Sequence, residues 1–325
     1  MALVSRGDLI AALLRIVDEQ GGLQLLRRVV SRRDSRTKMT WGQQRNSIRN
    51  WYEIPEVQLR QNRLITGRRE ETTFDYVAKK FLVGHSLFGV SLGCGTGSRE
   101  LGWAGTGRFK RILAIDMSEE RIEEANRKLT QAAFSSVVRF VAGDVLRYQL
   151  NPNSFDVVIT EGILHHISPL EVLVDKIASS LKPDGILIVN EYIGPDKFQW
   201  TKEQVRFCNV LLSFIPKPLR TYRGTKIVKT RVFRPGTLSM RIHDPSEAVE
   251  SSKIIERLKE KFSFVERKDY GGTILHPLLK DISHHFTETD SEKEAILQFL
   301  FGAENYLMRT GVIESDFTFM VARKV

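Results

Sequence analysis

Residues able to grip a nucleotide-type ligand or to move a proton are concentrated between positions 90 and 191. Val90-Ser91-Leu92-Gly93-Cys94-Gly95-Thr96-Gly97 reads as a buried strand entering a glycine-rich turn and then a helix. Glycines at alternate positions let a backbone turn sharply and let a ligand reach main-chain N–H groups with no side chain in the way. Such a turn can also serve only tight strand-to-helix packing. Asp116 ends the apolar run Ile112-Leu113-Ala114-Ile115, 19 residues after Gly97. A carboxylate there can accept both hydroxyls of a ribose lying across the strand ends. Its plainer role is to cap a helix from Ser118 to Leu129. Asp144 closes another apolar run, Val138 to Gly143.

Proton chemistry points to the next two runs. Phe155 to Glu161 leads into Gly162-Ile163-Leu164-His165-His166-Ile167. A histidine titrating near neutrality suits a general base. The same pair can instead shape a ligand site or start a helix. Glu191 ends the run Ile186 to Asn190 and can orient a substrate, bind a metal, cap a helix or form an ion pair. His243, beside Asp244, and His276 come later and can supply a base, or a metal together with Glu161 or Glu191. These groups are too dispersed to show a metal-ligand spacing, and no metal is expected. His284 and His285 are adjacent on an expected helix, so they face apart and read as surface or lid residues. Phe198, Trp200, Phe286, Phe299, Phe301 and Tyr306 can line an acceptor pocket, although most read as core.

Five short apolar strands must hold these groups, alternating with helical segments over residues 88–191. The alternation predicts right-handed crossovers and a parallel sheet covered on both faces. The expected fold is α/β: a doubly wound, mainly parallel sheet with a helical N-terminal region and helical inserts. Residues 1–85 form the basic N-terminal region, with an amphipathic helix over 8–30 and a second helix from Phe74 to Phe81. Residues 86–325 form the main domain, with inserts at about 195–245 and 272–315. A helix is expected over 200–214, ended by Pro216 and Pro218, and another from Ser246 to Phe262, capped by Asp244 or Ser246. Ser263 to Glu266 and Asp316 to Ala322 read as strands separated by the second insert. The N-terminal region and the inserts are expected to cover the ligand edge together.

The glycine motif at 93–97, Asp116, Gly143-Asp144, Leu164-His165-His166-Ile167 and the turn Leu181-Lys182-Pro183-Asp184-Gly185 together resemble the class I S-adenosylmethionine-dependent methyltransferases. They cover about a third of the chain, and their specificity lies in the set. The resemblance implies a Rossmann-like sheet whose last strand is antiparallel, paired in a hairpin with the strand before it, and an S-adenosyl-L-methionine cofactor with S-adenosyl-L-homocysteine as product. It implies that Gly93, Gly95 and Gly97 line the methionine part, that Asp116 holds the ribose, and that Asp144 and Val145 lie at the adenine. Cys94, Met117 and Glu161 complete the expected cofactor set. Many members carry an acid two residues before the first glycine, where it helps hold the cofactor's amino group; this chain has Ser91. A nicotinamide enzyme would show Gly-x-Gly-x-x-Gly, and a nucleotide triphosphatase a Gly-Lys-Ser/Thr loop; neither is present.

The 325 residues, 42% of them hydrophobic, suffice for one enlarged domain or two small ones. No apolar window approaches the ~18 residues of a spanning helix, and no signal peptide is read at the start. Cys94 and Cys208 give no disulfide framework and suit a reducing cytoplasm. Net charge is +10, and residues 1–85 hold 16 Lys/Arg against 9 Asp/Glu, densest from Arg27 to Lys38. Such a patch attracts phosphates, or it is simply a solvated helix face. After the fourth run the chain reads Thr160-Glu161-Gly162-Ile163, without the Asn/Asp-Pro-Pro-Tyr/Phe of many amine methylators. Neither cysteine has the setting of a pyrimidine-attacking nucleophile. No RNA-binding module is recognised. The leading expectation is in-line methyl transfer to a hydroxyl of a small-molecule or sugar-type acceptor, with His165, His166, Glu191 and His243 as catalytic candidates. The alternatives are an RNA, phosphorylated or lipid acceptor, suggested by the basic region, and a non-catalytic S-adenosylmethionine-binding protein, suggested by Ser91. Oligomeric state is not readable.

Overall fold

The computed structural model describes residues 3–9, 50–238, 240, 244–288 and 290–325. Most of the helix expected over 8–30, the basic run from Arg27 to Lys38, and His243 lie outside the described residues. The seven strands are β1 (Leu87–Leu92), β2 (Phe109–Asp116), β3 (Val138–Ala142), β4 (Phe155–Glu161), β5 (Leu181–Tyr192), β6 (Phe262–Gly271) and β7 (Phe317–Lys324). They form one sheet in the order β3-β2-β1-β4-β5-β7-β6. β1 to β5 run parallel, β7 is antiparallel to β5, and β6 is antiparallel to β7.

Alternation along the strands builds two apolar layers. Val90, Leu92, Ile115, Val158, Leu187 and Val189 face one side, packed with Leu170, Val174 and Ile177 of α5 (Leu170–Ser180). Ile112, Ala114, Val157, Ile159, Ile186 and Ile188 face the other, with Trp103 of α3 (Ser98–Gly105) and Ile122, Ala125 and Leu129 of α4 (Glu119–Gln131). Ser118 caps α4, its hydroxyl accepting from the Arg121 N–H. Strand order reverses between β1 and β4, which opens a crevice at their carboxyl ends. The Gly93–Gly97 turn and the Gly162–Ile167 segment both lead from that edge.

The additions pack where the chain doubles back. α1 (Pro55–Thr66) and α2 (Thr73–Lys80) precede β1. Arg60 of α1 forms a buried ion pair with Glu304 at 2.8 Å, and Glu304 also accepts from the N–H groups of Ile274 and Leu275. That node ties α1, α8 (Leu275–Leu279) and α9 (Ser291–Arg309) to the end of β6. In the insert after β5, α6 (Lys202–Phe214) opens with a capping box of Thr201 and Gln204. Gln204 also bonds Asp316 at 3.1 Å, joining this insert to the start of β7.

Three expectations are corrected. The helix from Ser246 to Phe262 is reduced to α7 (Ile254–Lys259), preceded by a 3-10 turn at Ser251–Lys253. The backbone before it is committed elsewhere: Val249 N–H donates to the His165 carbonyl, Glu250 accepts from Leu170 N–H, and Ala248 has φ of 48°. His284 and His285 lie on a short 3-10 turn, Ser283–Phe286. Leu181 to Gly185 is part of β5 with a register irregularity.

Candidate functional site

The three glycines of the turn do different work. All have positive φ, at 73°, 56° and 77° for Gly93, Gly95 and Gly97. A Cβ on Gly93 would lie 2.7 Å from Ile163, and one on Gly97 would lie 2.5 Å from Phe140 and 2.8 Å from Ala125. Those two glycines are closed by packing. A Cβ on Gly95 would meet nothing nearer than Arg121 at 3.6 Å, so the backbone there is the part open to a ligand.

Asp116 fixes the shape of this turn. Its carboxylate is buried and accepts from Gly95 N–H at 2.9 Å and from Ser118 N–H at 2.9 Å. Met117 is half-buried beside it. Gly143 N–H donates to the Asp116 carbonyl, which brings Asp144 and Val145 to the neighbouring strand end. Asp144 Oδ1 accepts from Leu146 N–H at 2.9 Å, and Val145 is buried. Lys176 of α5 clamps this turn by donating to the carbonyls of Val145, Leu146 and Tyr148. Cys94 is buried, and burial together with the nearby Glu100 and Asp116 carboxylates pushes its thiol far up, so it stays protonated.

Two members of the expected set are taken by other partners. Glu161 bonds Arg99 with one oxygen and the Trp103 indole N–H with the other, at 3.1 Å for the latter. Its carboxylate therefore ties β4 to α3. Glu191 is fully buried and accepts from the N–H groups of Ile163, Leu164 and Tyr192 at 2.6, 2.5 and 3.1 Å. It also holds His165 Nδ1 at 2.6 Å. With both oxygens engaged, Glu191 positions the Leu164–His166 turn and does not face an acceptor.

Beyond His165 the chain of contacts continues to a residue that sequence reasoning missed. His165 Nε2 lies 3.5 Å from Glu247 Oε1. His166 stacks obliquely on His165 with ring centroids 4.0 Å apart, and its Nδ1 lies 3.5 Å from Ser246 Oγ. Burial disfavours charge on His165, but Glu191 and Glu247 outweigh it and push its pKa up to about 10. Burial and the neighbouring His165 cation push His166 down to about 3. Glu247 sits below the usual carboxylate range: burial opposes its charge, and the one positive charge of the adjacent histidine pair, with the His165 hydrogen bond, outweighs that. The cluster thus carries one cation, which we assign to His165, set between two carboxylates. His165 is therefore not a free base at neutral pH. His276 lies apart from this trio, in an aromatic wall with Tyr192, Phe198, Trp200 and Phe317, its ring centroid 5.0 to 6.1 Å from theirs. Tyr192 in turn lies 6.1 Å from His165. Of the aromatics expected to line a pocket, Phe198 and Trp200 are in this wall, Phe286 and Phe301 are core, and Phe299 and Tyr306 are exposed.

The family model described as "Methyltransferase domain" matches residues 90–189, the span from the glycine turn through β5. This segment is a class I S-adenosylmethionine-dependent methyltransferase domain. Similar proteins include the sterol 24-C-methyltransferase of Candida albicans, 28% identical over 148 residues, which are 44% of this chain and 37% of that one. The carboxy-S-adenosyl-L-methionine synthase of Wolinella succinogenes is 34% identical over 106 residues, 31% of this chain and 42% of that one. Phosphoethanolamine N-methyltransferase 2 of Caenorhabditis elegans is 29% identical over 113 residues, 34% of this chain and 25% of that one. The chain spans less than half the length of each of these relatives.

Ser91 is resolved by its surroundings. Its hydroxyl donates to Glu100 Oε1 at 2.6 Å, so an acid one turn into α3 reaches the strand position that lacks one. Glu100 is buried, and its second oxygen has no hydrogen-bond partner among the described residues. Burial pushes its pKa up to about 7. The sequence signal was available, an acid placed to face β1 from the first turn of α3, but the pairing needs the helix direction. Glu247 had no such signal, because it reaches His165 from 82 residues away through irregular backbone.

Proposed function

We propose that this chain transfers the methyl group of S-adenosylmethionine to a hydroxyl oxygen of a small-molecule acceptor with an apolar face. The observation that carries this reading is the Glu191–His165–Glu247 chain beside the aromatic wall, one residue removed from the glycine turn through Ile163. Attack of a neutral hydroxyl on a sulfonium places positive charge on the oxygen as the new bond forms, so its proton becomes strongly acidic. A carboxylate held ionised is then a sufficient acceptor, and its negative charge stabilises the transition state. Glu247 has that role, His165 orients it, and Glu191 orients His165. Tyr192, Phe198, Trp200 and Phe317 exclude water and hold the apolar face. The test is incubation with methyl-labelled cofactor and matched acceptors that differ only in carrying hydroxyl or amine groups. Label on oxygen alone is expected. Label only on nitrogen or carbon, as the names of the relatives would suggest, overturns the hydroxyl assignment.

On the cofactor side, Glu100 supplies the carboxylate for the cofactor's ammonium in place of the acid missing at Ser91. A carboxyl with a pKa near 7 is ionised above that pH and protonated below it. Affinity for the cationic cofactor therefore rises as pH rises through about 7. Between pH 6 and 8 the dissociation constant should fall by about tenfold, following the ionised fraction. Glu100→Gln should bind more weakly at pH 8 and show a flat profile, read by calorimetry at both pH values. An unchanged profile in the variant would remove Glu100 from the site.

A further inference from the structure

We propose that His165, His166 and Glu247 form a binding site for a divalent first-row transition metal, which holds and acidifies the acceptor hydroxyl. This deepens the function proposed above and rests on it for the role of the metal, although not for its binding.

The inference starts from three side chains whose ligating atoms all lie within 4.8 Å of one another, each half-buried. Two imidazoles and one carboxylate suit Zn2+, Mn2+, Co2+ or Fe2+, and three protein ligands leave positions open for water or a substrate oxygen. The 3.5 Å from His165 Nε2 to Glu247 Oε1 is long for a hydrogen bond between such groups. It is close to the ligand–ligand edge of a tetrahedral site with bonds of about 2.1 Å, which is about 3.4 Å. His165 Nδ1 is bound to Glu191, a carboxylate that is itself saturated by three backbone N–H groups. A carboxylate behind the ring fixes the tautomer so that Nε2 presents its lone pair forward, and it raises the basicity of the ligand.

Each ligand is placed by local structure. The Leu164–His166 turn puts the two rings side by side, and the Val249 N–H bond to the His165 carbonyl draws the Glu247 segment against them. In the metal-free protein the same atoms form an ion chain, with the proton on His165 bridging the carboxylates. On metal binding that proton leaves to solvent, Nε2 and the Glu247 oxygen become ligands, and no redox change is involved. Glu247 would ligate through one oxygen, and a hydroxyl bound at an open position would give its proton to the other, leaving an oxygen anion in line for the methyl group while Glu247 keeps its role as proton acceptor.

The test uses the full-length chain, stripped with a chelator, without cofactor or acceptor. Titration with Zn2+ by calorimetry should show one saturable site with a micromolar or tighter dissociation constant. In buffers of different ionisation enthalpy it should release about one proton per metal at neutral pH. Co2+ should give the visible absorption of a low-coordinate nitrogen–oxygen site. Glu247→Gln and His166→Gln should each weaken the metal by at least tenfold, and retained S-adenosylmethionine binding would show that each variant is folded. Absence of saturable binding, or equal binding in both variants, overturns the metal site. Either result leaves methyl transfer itself to be read by the label assay, so the two proposals fail separately.

Discussion

Asp116→Ala should weaken S-adenosylmethionine binding by at least about a hundredfold. The carboxylate already accepts from Gly95 and Ser118 N–H groups, and each oxygen keeps a lone pair for a ribose hydroxyl. Two charge-assisted bonds of about 1.5–3 kcal/mol each correspond to at least two orders of magnitude in affinity. Removal also frees the Gly95 turn, whose open backbone must meet the ligand. Asp116→Asn separates the two effects. It keeps one acceptor for the turn but replaces the charge and offers only a single oxygen, so an intermediate loss is expected. The measurement is calorimetric titration of the three proteins, with thermal unfolding to show that each is folded. An alanine variant that binds within threefold of the native chain would place the ribose elsewhere.

The second large effect lies on the acceptor side. Glu247→Gln should lower kcat by about 10²–10⁴ while leaving cofactor affinity unchanged, because proton acceptance at a positioned group contributes about that much. His165→Gln should act through Glu247. With the His165 charge and hydrogen bond gone, and the His166 ring left beside it, Glu247 rises part of the way toward the ordinary carboxylate range. The acid limb of the pH profile of kcat/KM should therefore move to higher pH. A group that accepts the proton must be ionised, so a raised pKa delays its activity as pH rises. A His165 variant with lower kcat and an unmoved limb would mean that the ring packs the turn and does not set Glu247. Product formation across pH 5 to 9 decides it.

The glycine turn and strand-end acids proposed to hold the cofactor were legible in the sequence because their signals are local. Gly93 to Gly97 must turn between β1 and α3, and Asp116 must end β2, whatever the rest of the chain does. The two apolar layers follow from strand alternation, the strands β6 and β7 were readable as two short runs of β-type residues, and their antiparallel pairing came from the family resemblance. The contacts of the proposed acceptor side were not legible in the same way. Glu161 ends a strand and looked available, but Arg99 and Trp103 of α3 had already claimed it. Glu191 looked catalytic and instead holds the His165 turn. Glu247 sits where local pattern favours helix, and the tertiary bonds of Val249 and Glu250 prevail over that preference. Glu100 needed both the helix direction and the small Ser91 side chain that leaves room for it. In each case the deciding partner lies on another element, which periodicity along one segment does not report.

The central claim is that the crevice at the carboxyl ends of β1 and β2 is an S-adenosylmethionine site in this chain. Its most direct test is titration of the full-length native protein with S-adenosylmethionine and, separately, with S-adenosylhomocysteine, while hydrogen exchange is followed along the backbone. The account predicts one site per chain with micromolar affinity for both. It also predicts new protection confined to the Gly93–Gly97 turn, the Asp116–Ser118 junction and the Asp144–Leu146 turn. No binding of either compound, or protection that leaves all three segments unchanged, would contradict it.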